Sequence, residues 1–147
     1  MVNDRAPENY VGEFVSEGNV ESCQAASGYV PIQGDIVSLV SSSTTQPPTV
    51  QLWTSGRPYG VVSNTPSPGP GLTGPPTFSV TVKGKVKLIA YGSIAAGAQI
   101  SAHACTANTN GNTVEPATAS DSASNFGISL SSLSSGDSGL FLINGVV

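Results

Sequence analysis

The chain has 147 residues, only 10% of them charged, with 17 glycines, 11 prolines and a net charge of −4. That length suits one domain, or one domain with an arm, and the shortage of charge beside many small polar residues argues against a helical protein and for short strands joined by turns. Six acids (Asp4, Glu8, Glu13, Glu17, Glu21, Asp35) against Arg5 make the first stretch acidic, whereas from Ile36 onward Arg57, Lys83, Lys85 and Lys87 face Glu115, Asp121 and Asp137. Nothing is basic enough to follow a phosphate backbone, which sets nucleic-acid binding aside.

The N-terminus "MVNDRAPENY" has no apolar h-region, and no run approaches the ~18 apolar residues of a membrane span, so neither a signal peptide nor a membrane anchor is expected. Residues 1–28 read as an acidic lead-in in which Tyr10, Val11, Phe14 and Val15 are the large apolar residues. Low hydrophobicity and like charge argue against a packed core there. The segment is therefore an arm that orders on a partner or a frayed terminus, and the domain is expected over residues 29–147.

In "YVPIQGDIVSLVSS" Gly34-Asp35 makes a turn, and Ile36, Val37, Leu39 and Val40 a buried strand. "TVQLWT" alternates until Trp53, which suits an interface or a bulge. Tyr59 to Val62 is a further short strand, followed by a Pro/Gly loop over residues 64–76 that excludes helix and central strand. "FSVTVKGKVKLIAY" carries the clearest alternation, Phe78, Val80, Val82, then Val86 and Leu88, interrupted by Gly84 as a bulge or a hairpin bend. Its lysines are assigned to a solvated face. Gly97 marks the next turn and Asn110-Gly111 a hairpin; Phe126, Ile128 and Leu130 form one strand and Leu140 to Ile143 the last. Eight or nine short strands at this spacing predict an all-β barrel or sandwich.

Chemistry is sparse. "SSGDSGLFLI" contains Gly136-Asp137-Ser138-Gly139, which looks like the nucleophile segment of chymotrypsin-like proteases, and His103 and Asp121 precede it in the right order. Yet 18 residues separate His103 from Asp121 and 17 separate Asp121 from Ser138. Two barrels cannot be threaded through that interval, and Ala104 displaces Cys105 to the opposite strand face from the family's His-Cys pair. The expected reading is a turn. His103 and Cys105 share a strand face but lack a third zinc ligand, so no metal site is expected. Cys23 and Cys105 are expected to be free thiols rather than a bridge. Neither a P-loop, a nucleophile elbow nor a paired-carboxylate signature occurs, so no enzyme activity and no cofactor are expected.

The ordered set of signals resembles the small decoration, or cement, proteins of tailed bacteriophages. The pieces are "GDIVSL", "YGVV", "VKGKVKL", "SIAAGAQIS" and "FGISL…SSGDSGLFLI", from about Ile32 to Ile143. The resemblance implies a small β-barrel of tulip type or a jelly roll. It further implies a homotrimer on the outside of the expanded head, at three-fold or quasi-three-fold positions, stabilising the shell against packaged DNA. The implied partners are the major capsid protein and the chain's own copies. On this reading Tyr10, Val11, Phe14 and Val15 grip a capsid edge, while Trp53 and Tyr59 lie in a subunit interface. The alternative is a receptor- or glycan-binding module, such as a head fibre or adhesin domain, in which Trp53 and Tyr59 flank Arg57 as a sugar platform.

Overall fold

The computed structural model describes residues 19–41, 47–64, 77–103, 112–118 and 125–144. Nine strands occupy them: β1 (Asn19–Ala25), β2 (Ile36–Leu39), β3 (Thr49–Leu52), β4 (Gly60–Val62), β5 (Thr77–Ala90), β6 (Gln99–Ala102), β7 (Thr113–Pro116), β8 (Asn125–Ser129) and β9 (Ser138–Ile143). The protein is all-β.

β5 carries the architecture. Its 14 residues keep Phe78, Val80, Gly84, Val86, Leu88 and Ala90 buried while Thr77, Lys83, Lys85 and Lys87 are exposed. That period of two is what a strand with one covered face requires. Its first half belongs to a closed ring, β5–β1–β3–β2–β4 and back to β5. Its second half belongs to another, β5–β7–β6–β8–β9 and back to β5. Each ring has one parallel contact, β1 with β3 and β5 with β7. The structure is thus a pair of small five-stranded barrels sharing one strand, and neither a jelly roll nor an open sandwich.

The rings share one topology, and several of their backbone bonds correspond. Gly34 N–H donates to Val62 O and Val62 N–H to Asp35 O (2.8 and 2.9 Å); Gly97 N–H donates to Ser129 O and Ser129 N–H to Ala98 O (2.8 and 2.9 Å). Likewise Val40 N–H reaches Thr49 O as His103 N–H reaches Thr113 O, both at 3.0 Å. Superposing these bonds aligns Thr49-Val50 with Thr113-Val114 and Tyr59-Gly60-Val61 with Phe126-Gly127-Ile128. Gly60 and Gly127 are equivalent for a steric reason. A Cβ on either would lie 2.4 Å from a backbone oxygen of the next strand, Thr81 O or Leu142 O.

Two apolar clusters fill the body. Cys23, Val37, Val50, Val62, Phe78 and Val80 form the first. The second includes Leu88, Ile100, Val114, Phe126, Phe141 and Ile143, and also takes Ile36, Trp53 and Val61 from strands and connections of the first ring. Those three residues seal one barrel against the other. Burying each large side chain contributes roughly 1.5–3 kcal/mol.

Several expectations are corrected. Residues 19–25 are not part of the arm: β1 pairs with β5 over six positions, and Cys23 is fully buried. Four of its residues are exposed, so its polar composition hid a strand that is anchored mainly through backbone pairing. Gly84 is not a hairpin bend. The strand runs through it at φ 132°, and the register with β1 slips beside it, which is the bulge alternative. Leu130 is 40% exposed rather than on the strand's apolar face, because β8 ends at Ser129. The Asn110-Gly111 turn and the 65–76 part of the Pro/Gly loop lie outside the described residues, although β6 and β7 on either side of the former pair antiparallel.

Gly60→Ala and Gly127→Ala should each cost about 3 kcal/mol, since backbone cannot yield to the added methyl. Gly56→Ala, with open space around it but φ +78°, should cost about 1 kcal/mol. Urea midpoints measured on the three variants check the ordering.

Candidate functional site

His103 directly follows β6. Its Nδ1 lies 3.0 Å from Glu115 Oε2 on β7, and its ring stacks on Tyr91 with centroids 3.8 Å apart and planes 14° from parallel. Ser138 opens β9 opposite Ile89 and is exposed. Along the wall Ile89 pairs onward with Thr113, whose carbonyl receives the His103 N–H. His103 and Ser138 therefore stand at strands that are not paired with one another, with β8 between β6 and β9, and the His103 ring bonds Glu115. Asp121 lies outside the described residues. No Ser-His pair forms.

Each letter of the Gly-Asp-Ser-Gly segment has a structural reason. Gly136 sits at φ 90°, a region open to glycine. Asp137 Oδ2 accepts the Ser134 N–H at 3.0 Å, and the Asp137 N–H donates to Ser134 O at 3.0 Å. A Cβ on Gly139 would meet Leu133 Cδ1 at 2.7 Å. The same device recurs at Gly34-Asp35, where Asp35 Oδ2 accepts from Ile32 N–H at 3.1 Å and from the Tyr29 hydroxyl at 2.9 Å. The motif is a strand-initiating turn, used twice.

Trp53 and Tyr59 part company. Trp53 is 6% exposed, sits in the second core cluster, and donates its indole N–H to Gly56 O at 2.8 Å. It is unavailable as a sugar platform and leaves little surface for a second subunit, which corrects both assignments for this residue. Tyr59 is half-buried and remains accessible in a groove. The arm residues Tyr10, Val11, Phe14 and Val15, and Cys105, lie outside the described residues. Cys23 is a free thiol. Among the described residues no group of three His, Cys, Asp or Glu is placed to hold a metal.

A groove of about 780 Å³, open to solvent, lies against the first ring. Leu39, Arg57, Pro58, Tyr59, Val82 and Lys83 line it, together with Asn19 and Asn144 from opposite ends of the described chain. Asn144, at φ 47°, donates through its amide to Val82 O at 2.7 Å and Tyr59 O at 3.2 Å, tying the end of β9 to the first barrel. Asn tolerates that left-handed backbone better than most residues. Two cations and no carboxylate appear among the described lining residues. Burial raises the Tyr59 hydroxyl pKa, with the nearby Cys23 and Glu21 charges adding to the effect. The sequence singled out Arg57 but assigned Lys83 only to a solvated face; Asn144 left no signal beyond its Asn-Gly dipeptide.

No protein-family model and no curated protein matches the chain. Among the described residues the arrangement presents an open, cationic groove and no Ser-His pair.

Ser138→Ala should leave the urea midpoint within about 0.5 kcal/mol of wild type, whereas Asp137→Ala should cost about 1 kcal/mol through the lost turn bond. A fluorophosphonate probe should leave Ser138 unlabelled; labelling would revive the protease reading. Burial, then the Glu21 charge, pushes the Cys23 thiol up from 9.0 to about 11. Because the folded state keeps this proton to higher pH than the unfolded chain, that contribution to stability is complete below pH 9 and is lost as pH rises toward 11. The midpoint of wild type should therefore fall across that window more than the midpoint of Cys23→Ala.

Proposed function

We propose that this chain is a decoration protein of a tailed-bacteriophage head, binding the outer surface of the expanded shell as a homotrimer at three-fold or quasi-three-fold sites. The observation that carries the reading is the closed double ring. Each described strand pairs with at least two neighbours, the rings closing through two-residue parallel contacts of β1 with β3 and of β5 with β7, and a closed body of this kind suits a stiff clamp. The pieces that resemble the decoration family fall at the turns and strands that close these rings.

On this reading the chain's own arm, around Tyr10, Val11, Phe14 and Val15, supplies a strand to the capsid. Exposed Val30 and Ile32, at 76% and 50%, provide apolar surface for a second copy, with Tyr59 as a further contact. Each protomer's contact is modest; trimerisation makes the second and third contacts effectively intramolecular. Binding only the expanded lattice then stabilises that lattice by mass action.

Co-sedimentation with undecorated heads tests this. Saturable binding to expanded heads alone, at one trimer per three-fold site, is the expected outcome, and binding to neither form refutes it. Deleting residues 1–18, which leaves β1 intact, should weaken binding roughly tenfold or more.

A further inference from the structure

We propose that in the free protein residues 10–17 of the same chain occupy the groove beside Arg57 and Lys83. Asn19, the first residue of β1, lines that groove, so the preceding segment starts at its rim.

Charge and pattern match. The groove lining holds two exposed cations and no carboxylate among its described residues, neither cation has an ion pair among the described residues, and Glu21, whose charge reaches Tyr59 at the wall, leaves the balance positive. Between the two cations the groove presents apolar surface from Leu39, which is 47% exposed, and from Val82. The segment "EFVSE" places Phe14 and Val15 between Glu13 and Glu17. At roughly 3.3 Å per extended residue, Glu17 lies within about 7 Å of Asn19 and Glu13 within about 20 Å. Such a short tether gives an effective concentration on the order of millimolar, which favours the chain's own arm over a second copy's. Docking also covers Phe14 and Val15, two apolar residues that water would otherwise solvate. The docked state belongs to the free protein and does not depend on any capsid.

Zero-length carbodiimide coupling of the full-length protein tests the proposal, because it joins a carboxylate to a lysine amine in direct contact. Equal amounts of unlabelled and 15N-labelled chains are mixed, coupled and digested for mass spectrometry. The expected product joins Lys83 to Glu13 or Glu17 within chains of one label, in severalfold excess over coupling at Lys85 and Lys87. Arg57→Glu, an exposed position, should reduce the Lys83 product severalfold and leave the other two lysines unchanged. Mixed-label products would assign the groove to a second copy's arm, and equal coupling at all three lysines, or none to the arm, would show a groove the arm does not enter. Either result overturns the proposal.

Discussion

Everything in this structure depends on β5 keeping one apolar face for fourteen residues. A strand can close two rings only if its inward residues stay inward across the junction. A one-residue slip would turn Val86 and Leu88 to solvent and Lys85 and Lys87 into the core. The irregularity beside Gly84 is absorbed without that inversion: Phe78, Val80, Val86 and Leu88 are all buried. Glycine at φ 132° lets the strand change direction where one barrel hands over to the next.

Closure makes a second demand, that strands approach very tightly at one place per ring. Gly60 and Gly127 meet it, each holding a carbonyl of the neighbouring strand where a side chain would otherwise stand. Asp35 and Asp137 meet a third, satisfying the N–H groups that the entry turns leave unpaired. The third turn, at Ala95 to Ala98, keeps the backbone bond at 3.1 Å and the glycine at φ 82° with no aspartate. Backbone geometry is thus the shared element and the carboxylate an addition. The letters that resemble a protease nucleophile are consequences of barrel construction.

Much of this was legible in the sequence, and the failures have physical causes. The all-β class, the alternation of β5 and the Gly-Asp turns followed from period-two patterning and turn chemistry. β1 escaped because four of its residues face solvent and only Cys23 is buried; backbone pairing leaves no hydrophobic signature. The repeat escaped because side chains diverged while bonds did not: "YGVV" and "FGIS" share a glycine and two hydrophobic positions, but Val62 became Ser129 and Phe78 occupies a place that Gly139 fills in the second ring. Trp53 was misread because an aromatic that breaks alternation looks like a contact residue, and only three-dimensional packing shows that its contact is the other barrel. The groove brings together Asn19, Lys83 and Asn144, residues too far apart in sequence for any local pattern to join.

Sharing β5 also has a consequence during synthesis. The first ring lacks its last strand until Lys83 has left the ribosome, and at that moment none of Gly84 to Ala90, the half of β5 that starts the second ring, has followed. The order of the chain thus delivers all the strands of the first ring before β6 to β9 exist, and a first ring already paired would lower the loop-closure cost of the later pairings.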